Sequence, residues 1–141
     1  LKTIAEDVGK GLAAGLAGTL AIPVSQAIEM KITGRKASTV PAEAAGKALG
    51  VQATDDAAKQ RFSMIVHFGY GTLWGVPRGL LGAAGMSGVP ATLLHFLEIW
   101  GTALAMLPSM GLSPPVAAWE TKQVVVDGVH HLVYATAANT V

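Results

Sequence analysis

FSMIVHFGYGTLWGVPRGLLGAAGM, residues 62–86, holds a single full charge, Arg78, in a run long enough to cross a bilayer. About 20 mostly apolar residues make one crossing. A soluble helix of this length would carry a polar face at helical period, and here that face is nearly absent. The run also places Gly71, Gly75 and Gly79 four residues apart. Such spacing leaves a smooth strip on one side of a helix, where a second backbone can approach closely.

The rest of the chain repeats the pattern. Only 13% of the 141 residues are charged, about half of the roughly 25% usual in soluble domains. Ten of the charges fall between Glu29 and Arg61, four in the first ten residues, and five in the last 80. Apolar runs at about 11–28, 62–86, 89–112 and 119–141 therefore alternate with one charged connection, 29–61. The expected fold is all-α: a polytopic membrane protein with four transmembrane helices and a short amphipathic helix in the first connection. The competing reading is a soluble Ala- and Gly-rich bundle. Ten Gly or Pro residues between Arg78 and Lys122 weigh against it, because such residues weaken helices in water and are better tolerated in packed membrane helices. The absence of cysteine excludes a disulfide scaffold and Cys-ligated metal sites, and the charge pattern is not that of a nucleic-acid binder.

Local signals place the elements. Leu1, Ile4, Ala5, Val8 and Leu12 recur at helical spacing, and Pro23 predicts a kink in helix 1. Ser38 or Thr39 is the expected cap of a helix over 42–49, with Pro41 in its first turn and Gly50 at its stop. Thr54 is the expected cap of helix 2, with Asp55 and Asp56 complementing its dipole. A turn is expected at 85–90 and a break at 113–115, with helix 4 starting near Val116. Leu1 and the apolar ending at 134–141 read as a processed or partial product; a signal peptide over the N-terminus is opposed by Glu6 and Asp7. Six Lys or Arg residues in 31–61 put that connection in the cytoplasm and both termini outside.

Gly11 and Gly15 on helix 1 form a shorter strip of the same kind. Internal packing is one use for these glycines; docking to another subunit, or self-association, is the other. Polar residues at membrane depth carry the remaining chemistry. Depth along the helices matches Arg78 to Glu98 as a buried pair and His67 to Asp127 as a second. His67, His95, Asp127, His130 and His131 are candidate ligands or relay groups. Asp127-x-x-His130 and His95-x-x-Glu98 each put two ligands on one helical face. A single histidine could hold haem or a chlorophyll magnesium, and Glu29, His67, Asp127 and His131 could pass protons. The bland alternative is a set of interhelical hydrogen bonds. Arg35 and Lys36 form a small basic patch suited to lipid phosphate. No nucleophile elbow, Walker loop or HExxH motif is present.

A Gly/Ala-rich first helix followed by HFGYGTLWG at 67–75 resembles the YagU-like small bacterial inner-membrane proteins. That resemblance implies a bacterial plasma membrane location and no catalytic residue. The expected role is a non-catalytic accessory or scaffold subunit, docked on a larger membrane complex through the helix 2 glycines. A cofactor-binding bundle and a small transporter or proton conductor are the alternatives.

Overall fold

A computed structural model describes residues 3–35, 40–50 and 55–140. Among these residues every regular element is a helix. The order is α1 (Ile4–Thr33), α2 (Val40–Leu49), α3 (Asp56–Leu73), α4 (Gly75–Ala83), α5 (Gly88–Ser109) and α6 (Thr121–Asn139), with a single 3-10 turn at Val116–Ala118 before α6.

Helix α1 starts with a capping box: Glu6 N–H donates to Thr3 Oγ1 at 3.2 Å and Thr3 N–H to Glu6 Oε2 at 2.8 Å. It runs through Pro23 and stops at Gly34, whose φ of 73° suits a residue without Cβ. At 30 residues it is about 45 Å long. The short helix of the connection is present as α2, and Lys47 Nζ donates to the Met110 carbonyl at 2.5 Å, tying it to the end of α5. The proposed caps Ser38, Thr39 and Thr54 lie outside the described residues. The side chain that caps α3 is Asp55, accepting from Ala58 N–H at 2.7 Å.

Two expectations are corrected. Residues 62–86 do not form one helix: the chain breaks at Trp74, between α3 and α4. The cause is Pro77. Its ring cannot fit against the carbonyl of Leu73, four residues back, and it offers no N–H to that carbonyl. Helix 4 does not start at Val116 either; α6 begins at Thr121, after Glu120 and Gln123 close a capping box. Its 19 residues include Lys122, Asp127, His130 and His131. Two helices, α1 and α5, are long and apolar enough to cross a membrane.

Helix α1 is the hub, packed against α3, α4 and α6, while α5 lies against α6 and α4. The buried residues are mostly small or polar: Gly11, Ala14, Gly15, Gly18 and Thr19 on α1, Gly75 and Gly79 on α4, His95 on α5, and Gly128, His130 and Ala138 on α6. Large aliphatic side chains point outward on every long helix, as with Leu20 at 55% exposed, Ile65 at 69%, Leu97 at 59% and Val125 at 57%. In water this arrangement would forfeit about 25 cal/mol for each Å² of apolar surface left exposed. The small residues inside have the compensating effect of letting the backbones meet.

Candidate functional site

The two glycine strips meet each other. A Cβ on Gly11 would fall 2.7 Å from Gly79 N, one on Gly15 2.5 Å from the Thr72 carbonyl, and one on Gly75 2.7 Å from the Gly11 carbonyl carbon. Real Cβ atoms do not come that close, and the neighbours are backbone, which cannot swing aside. Gly71 faces Thr19, and Gly18 faces the Tyr134 ring. Gly11, Gly15, Gly71, Gly75 and Gly79 are thus spent on the contact of α1 with α3 and α4. The helix 2 glycine face is covered, which corrects its assignment as the docking surface.

A series of polar contacts sits just beyond this crossing. Thr19 is fully buried; its hydroxyl donates to Gly15 O at 2.7 Å, and its own carbonyl accepts from His67 Nε2 at 3.0 Å. Tyr134 Oη donates to the Gly71 carbonyl. His95, with no exposed surface, donates from Nε2 to the Trp74 carbonyl at 2.8 Å. That carbonyl lies at the helix break, so the histidine supports the backbone where Pro77 disrupts it. Bonding to a carbonyl makes Nε2 the protonated nitrogen, and Nδ1 then accepts from Asn139 Nδ2 at 3.3 Å. His95 also lies against the Tyr134 ring, with centroids 5.8 Å apart.

On α6, Asp127 accepts from Trp100 Nε1 at 2.8 Å, and Trp100 packs against Gly128, where a Cβ would come within 3.1 Å of the indole. His131 Nδ1 donates to the Asp127 carbonyl at 2.7 Å. His130 Nδ1 meets Ser25 Oγ at 2.7 Å. Its Nε2 is buried without a hydrogen-bond partner, 3.9 Å from Glu29 Oε2. Glu29 in turn holds Arg35 through Nε at 3.1 Å and Nη2 at 2.8 Å. This carboxylate keeps the Arg35 guanidinium above its ordinary pKa. Ser25, Glu29 and His130 form the polar side of an open groove of about 270 Å³ between α1 and α6, with Ile28, Ile32 and Val129 on its apolar side.

The structure separates several groups that depth alone had matched. Arg78 and Glu98 form no ion pair; Arg78 Nε and Glu98 Oε2 are each buried without a hydrogen-bond partner. Arg78 lines a cavity between α4 and α1, whereas Glu98 is on α5. His67 bonds to Thr19, not to Asp127. The relay set Glu29, His67, Asp127 and His131 is divided among three separate contacts. No group of three or more His, Asp or Glu side chains able to hold a metal occurs among the described residues. Of the basic patch, Arg35 is turned onto Glu29, and Lys36 lies outside the described residues.

Some contacts had no sequence expectation. Trp100–Asp127 and Tyr134–Gly71 were missed, as was the role of Ser25. Pro77 was the available signal for the break that His95 supports. No protein-family model, curated protein or solved structure matches the chain.

Proposed function

We propose that the chain is a small polytopic membrane protein with a non-catalytic role, an accessory or scaffold subunit of a larger membrane assembly. The observation that carries this reading is the radial order of residue types. Among the described residues, glycine, alanine, threonine and histidine make up most of the buried positions, and most leucines, isoleucines and valines of the long helices are on the outside, with Ile99 the large aliphatic that is buried. Lipid makes no distinction between a tail and a leucine, so close packing of small residues holds such helices together. The buried polar side chains are mostly joined helix to backbone or helix to helix, which favours a structural use over chemistry.

The proposal includes four crossings, with α3 and α4 sharing one, the 29–61 connection in the cytoplasm, and a bacterial plasma membrane, as the YagU-like resemblance implies. With the glycines occupied by α1, the surface for other membrane subunits or for self-association is the outer face of α5, where Leu93, Leu94 and Leu97 are exposed. Native electrophoresis of solubilised membranes tests the role: the chain should migrate with a larger complex, and migration alone would overturn the accessory reading. The chain has no cysteine, so single cysteines report topology cleanly. Ala45→Cys should react with an impermeant maleimide only after permeabilisation, and Ser87→Cys should react in intact cells.

A second reading, a bundle holding haem or chlorophyll, is favoured by one atom. His67 and His95 donate from Nε2 and His131 from Nδ1, whereas His130, a residue of the groove wall, keeps a buried Nε2 without a hydrogen-bond partner, 3.9 Å from Glu29 Oε2. A visible absorption band in the purified protein that His130→Ala removes would support it; a protein without visible absorption would overturn it.

A further inference from the structure

Arg78 is the one full charge in residues 62–86. Among the described residues, no acid forms an ion pair with it, and its Nε is buried without an acceptor. Beside it lies a cavity of about 180 Å³ with Lys10 on α1, Gly79 and Gly82 on α4, and Asp7 at one wall. Lys10 brings a second cation. Asp7 opposes them in part, although it has an interaction of its own. The two cations outnumber the one carboxylate. The glycines keep the wall low: a Cβ on Gly82 would fall 3.3 Å from Arg78 Nη1. A guanidinium fork with a free donor, a nearby ammonium and an open wall are suited to the tetrahedral oxygens of a phosphate.

We propose that this cavity between α1 and α4 binds a phosphate group, with Arg78 as its principal ligand and Lys10 as its second. The bound anion adds negative charge beside Arg78, which is in no ion pair among the described residues. The phosphate of an anionic lipid headgroup and free inorganic phosphate share this chemistry. The site does not depend on the accessory role, and its test reads binding alone.

The full chain, purified in dodecylmaltoside micelles, is titrated with inorganic phosphate, with dioleoyl phosphatidylglycerol and with dioleoylglycerol, and Tm is followed. Phosphatidylglycerol should raise Tm saturably, and dioleoylglycerol, which has the same tails and no phosphate, should not. A matching response to inorganic phosphate identifies the free ion as sufficient; a response to the phospholipid alone identifies the headgroup. Arg78→Gln should shift the midpoint about tenfold to higher concentration, the loss expected for one charge-assisted contact. Lys10 is exposed, so Lys10→Gln tests the site without risk to folding and should shift the midpoint about threefold. Lys31→Gln, outside the cavity, should leave it unchanged. An absent response to both phosphate probes would overturn the proposal, as would an equal response to dioleoylglycerol, or a Lys31→Gln shift as large as that of Lys10→Gln.

Discussion

Helix α1 makes two very different contacts along its length. Toward its start it meets α4 backbone to backbone, with Gly11 and Gly15 against Gly75 and Gly79 and no space for a methyl group. Toward its end it meets α6 through side chains, with Ser25 on His130, Glu29 nearby and a groove left between the helices. The first contact is dry, short-range and intolerant. The second is polar and leaves His130 Nε2 without a hydrogen-bond partner. One helix thus combines a fixed joint with an adaptable one, and the rigid end does not need chemistry to hold it.

The comparison breaks first at the glycines. Gly75→Ala should cost about 3 kcal/mol in a reversible unfolding assay in mixed micelles. The gain in helix propensity, about 1 kcal/mol, is outweighed by overpacking against backbone that cannot move. Gly11→Ala should cost a similar amount, and the double variant should cost less than the sum, because one enforced separation relieves both. Additive losses would show that the two glycines do not face each other.

His95→Ala should cost about 2 kcal/mol or more, since it opens a cavity and leaves the Trp74 carbonyl with one acceptor position unfilled. Adding Pro77→Ala should recover part of that loss by restoring the helix through Trp74; no recovery would detach the histidine from the break. Tyr134→Phe removes only the hydroxyl bond to Gly71 and should cost about 1 kcal/mol, the scale of interhelical bonds in membranes. At the adaptable end, Ser25→Ala should cost about 0.5 kcal/mol, with the groove retained. Measured losses that rise from the glycine end to the groove end would overturn the distinction between the two contacts.

Much of the fold was legible because apolar runs, caps and glycine spacing are local. Glu6 after Thr3, Gly34 after the last turn and the glycines at intervals of four each act within one or two helical turns. The α3–α4 break was equally local, written in Pro77, but it was overshadowed by the long apolar run around it. The polar partners were less legible for a different reason. Depth along a helix is set by residue number, whereas direction around the helix is set by how the whole bundle packs. Arg78 and Glu98 satisfy the first condition and fail the second, since Arg78 lines the α1 side of α4. His95 and Tyr134 bond to backbone carbonyls, and no side-chain pairing rule identifies a carbonyl. Trp100 meets Asp127 only because Gly128 lets the indole lie against α6.

The fully buried Thr19, Ala91, Ala135 and Ala138 are small side chains, and fixing glycine or alanine side chains costs essentially no rotamer entropy. The large aliphatic groups outside keep similar surroundings whether or not the helices separate within a lipid-like phase. Helix separation there should therefore expose little new apolar surface to water, and its heat-capacity change should fall well below the roughly 12–15 cal/mol/K per residue of water-soluble domains. Stability of this kind varies gently with temperature, so the bundle should lose little of its strength on cooling.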